Sequence, residues 1–186
     1  MPAKKQITKA MILSAALELL RGGGIGAVQV KALARELNCS TQPIYLSFES
    51  MGQLRAALSS LALDEFVRTI GAHGAQADLY GLAYIRFAQQ EKNLFQFLFM
   101  RQNAYQELRE SLLPIMQSSI ARIMERYQIG WEEAHYFHDQ LWVHTHGIAA
   151  MIATGFCDWN MDKVQKMLAE CEQYLSRKYA VQHVHE

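Results

Sequence analysis

The chain has 186 residues, of which 51% are hydrophobic and 19% charged, and these are the proportions of an ordinary globular protein. Intrinsic disorder needs few apolar residues and a high net charge, and neither holds here. No run approaches the roughly 18 consecutive apolar residues of a membrane span, and the basic start lacks the apolar core of a secretory signal. We therefore expect one domain or two small ones in the cytoplasm. Three cysteines without a C-x-x-C spacing argue against a disulfide framework and a cysteine zinc site.

The charge is distributed unevenly along the chain, although the net charge is zero. The first 60 residues contain seven basic and three acidic side chains, a balance of +4, and the remainder has a balance of −4. Such segregation indicates a basic module that meets an anion, joined to a body with another task. A small basic face in contact with solvent gives the same pattern, so charge alone leaves both interpretations open.

Helical periodicity runs through the whole sequence, and no segment alternates convincingly between apolar and polar residues. Gly22, Gly23 and Gly24 are expected to end the first helix, and Asn38 to take a positive φ after the second. We expect Ser40 to cap the third helix, and the S-x-x-Q pattern from Ser50 to open the fourth. The fold class that follows is all-α, with about nine helices near residues 8–21, 30–37, 40–46, 50–69, 79–89, 94–100, 105–127, 131–154 and 161–179.

The composition changes after Gly74, where aromatic residues become dense. We predict an N-terminal module over residues 1–50 and a larger helical body over residues 51–186. The two are joined by a connecting helix over about 50–70 with no flexible linker.

The segment Val30–Phe48 carries the clearest functional pattern. Two short helices flank a tight turn at Asn38–Cys39, and the second helix begins with small polar residues. A recognition helix enters the DNA major groove by its N-terminal end, where a glutamine can bond adenine bidentately. The pattern therefore predicts a helix-turn-helix that reads double-stranded DNA. A helical hairpin that touches nothing has the same spacing, so this second interpretation stays open.

The predicted DNA contacts come from the basic N-terminal arm, the start of the second helix and the recognition helix. Tyr45 is expected to offer its hydroxyl group to a phosphate while its ring packs inward. The full set is Lys4, Lys5, Lys9, Gln29, Lys31, Ser40, Thr41, Gln42, Pro43, Tyr45 and Ser47.

Residues Leu33–Phe48, LARELNCSTQPIYLSF, resemble the DNA-binding signature of the tetracycline-repressor (TetR) family. The resemblance extends upstream to AALELLRGGGIGAVQV and downstream to Leu54, which covers the first quarter to third of the chain. It implies a transcription regulator, acting as a repressor, that binds a near-palindromic operator as a homodimer and is released by a small ligand. The family often has His where Ser47 stands and Lys where Met51 stands, so two of its usual phosphate contacts are missing here.

Aromatic and methionine side chains at helical spacing in the body build either a plain core or an apolar ligand pocket. The resemblance favours the pocket, because members of the family bind inducers in this domain. The sequence WVHTHG, from Trp142 to Gly147, also resembles a Trp…His-Gly element of one subset of the family. The effector is expected to be small and apolar or aromatic, with Tyr84 and His146 as polar contacts. The predicted lining is Tyr84, Phe87, Phe95, Met100, Met116, Ile120, Met124, Trp142 and His146.

Histidines share one face of the eighth predicted helix with small residues. His135 and His138 have an i, i+3 spacing that a metal could use. However, His135 and His146 lie about 16 Å apart along a helix and cannot share an ion. We expect no metal and no cofactor. Close approach at Ala149 and Ala153, together with the resemblance, predicts a homodimer through the last two helices.

An enzyme and a ligand-binding or scaffolding protein are the two alternatives to a regulator. An enzyme is not expected, because the sequence has no P-loop, G-x-G-x-x-G, H-E-x-x-H or Ser-His-Asp pattern. The alternative is a helical dimeric ligand-binding or scaffolding protein with weak or lost DNA binding, which the residues at Ser47 and Met51 make credible. No membrane partner is expected. Cys39, beside the recognition helix, is either inert packing or a redox switch.

Overall fold

The computed structural model describes residues 6–74 and 80–180, and the side chains of 72–74 and 179–180 are outside that description. Within these ranges every regular element is a helix and there is no strand, so the all-α prediction is confirmed. None of the described helices has the length and hydrophobicity to cross a bilayer. A 3₁₀ turn at Ile25–Ala27 separates the first two helices. The α-helices are α1 (Lys9–Gly23), α2 (Val30–Glu36), α3 (Gln42–Ser47), α4 (Met51–Gly74), α5 (Tyr80–Gln90), α6 (Lys92–Phe99), α7 (Ala104–Tyr127), α8 (Trp131–Ala153) and α9 (Met161–Ala180).

The start of α3 differs from the prediction. The prediction that Ser40 caps this helix is wrong, because α3 begins at Gln42 and Thr41 occupies the N-cap position. With Ser40 as N-cap, the third helical position would be Pro43, which has no N–H to donate to a serine hydroxyl. The Thr41 carbonyl instead accepts from the N–H of Ile44 at 3.2 Å.

Two other helix ends also differ from their predicted positions. Gly22 and Gly23 lie inside α1, and only Gly24, at φ 69°, ends it. At the start of α4, Ser50 Oγ accepts from the Gln53 N–H at 3.1 Å, as the S-x-x-Q pattern predicted. The return bond goes from the Glu49 N–H to Gln53 Oε1 at 3.0 Å. This helix continues to Gly74, five residues beyond the predicted end.

A continuous apolar core runs from α1 to α9, and α4 passes through it. The inward face of α4 repeats every four residues, and α4 packs against α1, α5 and α6. The apolar stripe on this face is Leu54, Leu58, Ala62, Phe66 and Ile70. A second, smaller cluster forms where α7 meets α8, around Ile120 and Phe137.

Arg21, near the end of α1, ties that helix to α4 and to the start of α6. Its guanidinium contacts Glu18 at 2.8 Å, Glu65 of α4 at 3.0 Å and Glu91 at 3.2 Å. Its backbone carbonyl accepts from Asn93 Nδ2 at 2.7 Å. Hydrogen bonds from Arg68 and Arg21 lower the pKa of Glu65, although its partial burial opposes them. This half-buried ionic cluster thus joins three helices at one point.

Gly81 marks a close crossing of α5 with α8 and α9. A Cβ placed on Gly81 would lie 3.3 Å from Thr145 Oγ1 and 3.6 Å from Leu168 Cδ1. Larger side chains therefore cannot enter without moving the helices apart.

We expect Gly81→Val to lower the free energy of unfolding by about 1–3 kcal/mol, because it overpacks this crossing. The matched control is Gly71→Ala on α4, where nothing lies within 4 Å of the added Cβ. That change should raise stability by about 0.5–1 kcal/mol, because alanine loses less backbone entropy than glycine in a helix. Chemical denaturation followed by circular dichroism measures both. If the two changes had the same effect on the free energy of unfolding, the crossing would have space for a valine side chain.

Candidate nucleic-acid interface and ligand site

The turn between α2 and α3 is a Schellman motif centred on Asn38. The Asn38 N–H donates to the Arg35 carbonyl at 3.1 Å, and the Cys39 N–H donates to the Ala34 carbonyl at 2.9 Å. Asn38 has φ 50°, as the sequence predicted, in the left-handed region that asparagine tolerates better than most residues. The motif stops α2 and turns the chain directly into α3.

The helix α3 has one buried side and one exposed side. Ile44 and, at its end, Phe48 are each 2% exposed and pack into the core. Successive helical residues are about 100° apart, so Gln42 and Leu46 lie on the side opposite Ile44. Both are exposed, Leu46 at 80%. Burial of Ile44 therefore points this pair outward.

The other predicted contacts in and around α3 are less uniform. Ser40 is exposed, and Thr41 and Pro43 are half-buried. Ser47 is also half-buried, and its hydroxyl donates to the Pro43 carbonyl at 2.9 Å. The expectation that the Tyr45 ring packs inward is wrong, because Tyr45 is 61% exposed.

The exposed basic side chains of this region lie on the helices before and after α3 in the chain. Lys31, Arg35 and Arg55 are exposed, and α3 itself carries no charged residue. Lys9 begins α1, and its ammonium lies 4.9 Å from the centroid of the Phe48 ring. Lys4 and Lys5 lie outside the described residues.

Gln29 and Met51 both make contacts within the protein. Gln29 is exposed, and its Nε2 donates to the Gly26 carbonyl at 3.0 Å. Met51, where the resemblance expects lysine, is half-buried against the core.

Residues 12–58 match the family model described as "Bacterial regulatory proteins, tetR family". These residues therefore form a TetR-type DNA-binding domain. A comparison with curated proteins finds no match. The matched residues contain most of α1, all of α2 and α3 and the start of α4, so they include the whole helix-turn-helix.

A domain of this type makes the chain a DNA-binding transcriptional regulator. Members of the family bind DNA operators as dimers and are generally not enzymes.

The body contains a connected series of rings, here called the aromatic array. Tyr84 lies at its centre, with ring centroids 5.7 Å from Phe66 and 5.4 Å from Phe95. Trp142 stacks on His146 at 5.5 Å and lies 6.1 Å from the exposed Tyr105. The array therefore runs from the core to the surface. Its members are Phe66, Tyr84, Phe87, Phe95, Phe99, Tyr105, Trp142 and His146.

A polar pair lies within the array. The Tyr84 hydroxyl is 2.9 Å from His146 Nδ1, so the two share one hydrogen bond. Burial lowers the pKa of His146 below its usual 6.5 and raises the pKa of Tyr84, so both are neutral at pH 7. An uncharged pair among rings is suited to a polar group on an otherwise apolar ligand.

The nine predicted ligand residues do not form one lining. Tyr84, Phe87, Phe95, Trp142 and His146 belong to the aromatic array. Met116, Ile120 and Met124 belong to the second cluster between α7 and α8. Met100 is 40% exposed and lines a different cleft of about 240 Å³ between α6 and the 3₁₀ turn, with Gly24, Ile25, Asn93, Gln96, Phe97 and Arg101.

The histidines at the start of α8 share one carboxylate. Asp139 lies 3.3 Å from His135 Nδ1 and 3.4 Å from His138 Nδ1. Burial lowers the pKa of His138, which Asp139 partly offsets. Within the described ranges no group of three His, Cys, Asp or Glu side chains is arranged to hold a metal ion.

Because burial lowers the pKa values of His138 and His146, we expect stability to fall as the pH decreases below about 6.5. Between the folded pKa and about 6.5, the unfolded chain binds more protons than the folded chain, so stability falls as pH decreases through this window. His146→Gln retains a hydrogen-bonding group near Tyr84 but does not titrate. We expect a shallower loss of unfolding free energy from pH 7 to pH 5 in this variant, measured by urea denaturation. An unchanged slope would contradict a buried neutral His146.

Proposed function

We propose that the chain is a homodimeric repressor that leaves a near-palindromic operator when a small aromatic ligand enters the body. The observation that carries this proposal is the exposed side of α3, which presents Gln42 opposite the buried Ile44 inside a TetR-type domain. Residues 1–50 are the DNA-binding part of this proposal and residues 51–186 the part for ligand and dimer.

The arrangement around α3 supports different roles for different side chains, with basic residues providing affinity for DNA and α3 recognising its sequence. Phosphate attraction is not sequence-specific, and the exposed Lys31, Arg35 and Arg55 lie on neighbouring helices. Sequence is read at base edges, and a glutamine at the helix start suits adenine. All eleven predicted residues remain proposed DNA contacts. The contact from Ser47 is expected to be weaker, because its hydroxyl already donates to the Pro43 carbonyl.

The DNA part is tested by a binding selection from random duplexes with the full chain. Gln42→Ala should relax the preference at one base pair per half-site, a loss of about 1–3 kcal/mol at that pair, because its bidentate bond is gone. The matched control is Gln106→Ala on α7, which is also exposed but lies outside the family-matched residues. If the two variants select the same sequence as the native chain, Gln42 does not read a base.

The array supports a ligand site at its outer end. Trp142 is 43% exposed and Tyr105 is 54% exposed, while Phe95 behind them is fully buried. A planar apolar ligand placed between these rings would reach the Tyr84–His146 pair. The methionine cluster around Met116, Ile120 and Met124 is proposed as the neighbouring wall.

The helix α6 connects this end of the array with α1. Phe95 lies 5.8 Å from the His146 ring, and two residues earlier Asn93 holds the Arg21 carbonyl. Gln96 Nε2 also donates to the Ala153 carbonyl at 2.8 Å, so α6 is fixed to α8 as well. A ligand that displaces Phe95 therefore moves the contact with α1, and through it the spacing of two recognition helices.

The ligand part is tested with a panel of uncharged planar aromatic compounds. A compound that binds beside Trp142 should lower DNA affinity by about 5- to 150-fold, the usual range of coupling between sites. Trp142→Ala should remove this response while ligand-free DNA affinity stays the same. Trp131→Ala, at an exposed tryptophan outside the array, is the control. A compound that binds free and DNA-bound protein equally would show that the sites are not coupled.

The dimer is proposed to form through α8 and α9. Tyr136, Val143 and Met151 are exposed apolar residues on one side of α8, and nothing lies within 4 Å of a Cβ added to Gly147 between them. On α9, Tyr174 is 76% exposed. Two such helix pairs would bury these side chains in a four-helix bundle.

Val143→Glu should dissociate this dimer, because it places a charge without a partner at the centre of an apolar interface. Sedimentation should then give a monomer, and DNA affinity should fall because the two half-sites are no longer bound together. Gln117→Glu on exposed α7 adds the same charge elsewhere and should leave the dimer intact. A dimeric Val143→Glu variant would exclude this surface.

The second candidate is a dimeric ligand-binding or scaffolding protein with weak or lost DNA binding. It is favoured by the internal bond of the Ser47 hydroxyl and the half-buried Met51, since neither side chain offers a charge to phosphate. Absence of any selected duplex, with an intact dimer, would support this candidate.

A further inference from the structure

Leu46 is the exposed residue of α3 that the predicted contact set omitted. Its side chain is 80% exposed, and it does not pack against either apolar cluster of the described residues. Single exposed apolar residues are common on protein surfaces. This one lies one helical turn after Gln42, on the side of α3 that faces away from the core.

Leu46 has no part in holding α3 in place. Ile44 and Phe48 anchor the helix in the core. The exposed Leu46 side chain therefore does not stabilise the fold of the free chain.

We propose that Leu46 reads the 5-methyl group of a thymine in the major groove, and this rests on the proposed operator binding. The thymine methyl is the one apolar group on a base edge in that groove, and apolar side chains recognise it by contact. Positions i and i+4 have Cβ atoms about 5–6 Å apart, so Gln42 and Leu46 reach base pairs one or two steps apart.

The composition of the turn and of α3 also favours A·T base pairs. Residues 38–47 contain no lysine or arginine, the side chains that bind guanine most often. Gln42 suits adenine and Leu46 suits thymine, so α3 presents a neutral surface for neighbouring A·T pairs.

The test replaces thymines with deoxyuridine, which removes only the methyl group. Duplexes selected by the full-length protein are synthesised with one deoxyuridine per half-site at each thymine in turn, and affinity is measured by fluorescence anisotropy. At one position the native chain should lose about fourfold in affinity per half-site, equal to about 0.8 kcal/mol for one buried methyl-sized group. At the same position, 5-methylcytosine should bind better than cytosine by the same factor.

Variants at position 46 assign the effect to this side chain. Leu46→Ala should bind the thymine and deoxyuridine duplexes equally at that position and keep the native response at all others. Leu46→Met, which retains an apolar side chain of similar volume, should restore the thymine preference. Folding and dimerisation are checked by circular dichroism and sedimentation, and little change is expected because Leu46 is outside the core.

Two negative outcomes are distinguishable. If the chain selects duplexes but Leu46→Ala keeps every deoxyuridine effect of the native chain, the assignment of Leu46 is wrong and the proposed operator binding stands. If the chain selects no duplex DNA, the proposed operator binding fails and the assignment fails with it.

Discussion

The apolar stripe of α4 is the feature on which the rest of the structure depends. Leu54 and Leu58 lie in the family-matched region, and Phe66 and Ile70 lie beyond it, yet all belong to one continuous core. A helix whose inward face is buried along five turns cannot bend between its two ends without exposing apolar surface. The orientation of the helix-turn-helix relative to the body is therefore held by packing. The Arg21 cluster adds directional contacts at the same junction, where α1 meets α4 and α6.

The exposed side of α3 follows from the same packing. The six-residue helix is too short to be stable alone, so burial of Ile44 and Phe48 holds it in place. That anchoring decides which residues face outward, namely Gln42, Tyr45 and Leu46. In the proposed function, the neutral α3 would read bases, and the exposed lysine and arginine side chains of neighbouring helices would supply the attraction to phosphate.

The body combines a firmly packed interior with a surface edge of aromatic rings. Phe87 and Phe95 are buried as ordinary core, whereas Trp142 and Tyr105 extend the same ring contacts to solvent. The neutral Tyr84–His146 pair lies between these two zones. Phe95 of α6 packs against His146, and Asn93 of the same helix holds the end of α1. The short helix α6 therefore contacts both the proposed ligand site and the DNA-binding part.

Local sequence patterns were sufficient to determine the helices, the left-handed turn at Asn38 and the capping pair at Ser50 and Gln53, because these depend on neighbouring residues. The same patterns identified the helix-turn-helix as part of a TetR-type domain. They failed at Ser40, where the missing N–H of Pro43 outweighed a favourable cap residue. They also failed for the Tyr45 ring and left Leu46 unnoticed. Periodicity in six residues is too short to show which side is buried, and that choice was made by the packing of Ile44 against the core. The separation of Met116, Ile120 and Met124 from the aromatic array was likewise decided by tertiary structure, because it depends on which helices become neighbours across long stretches of chain.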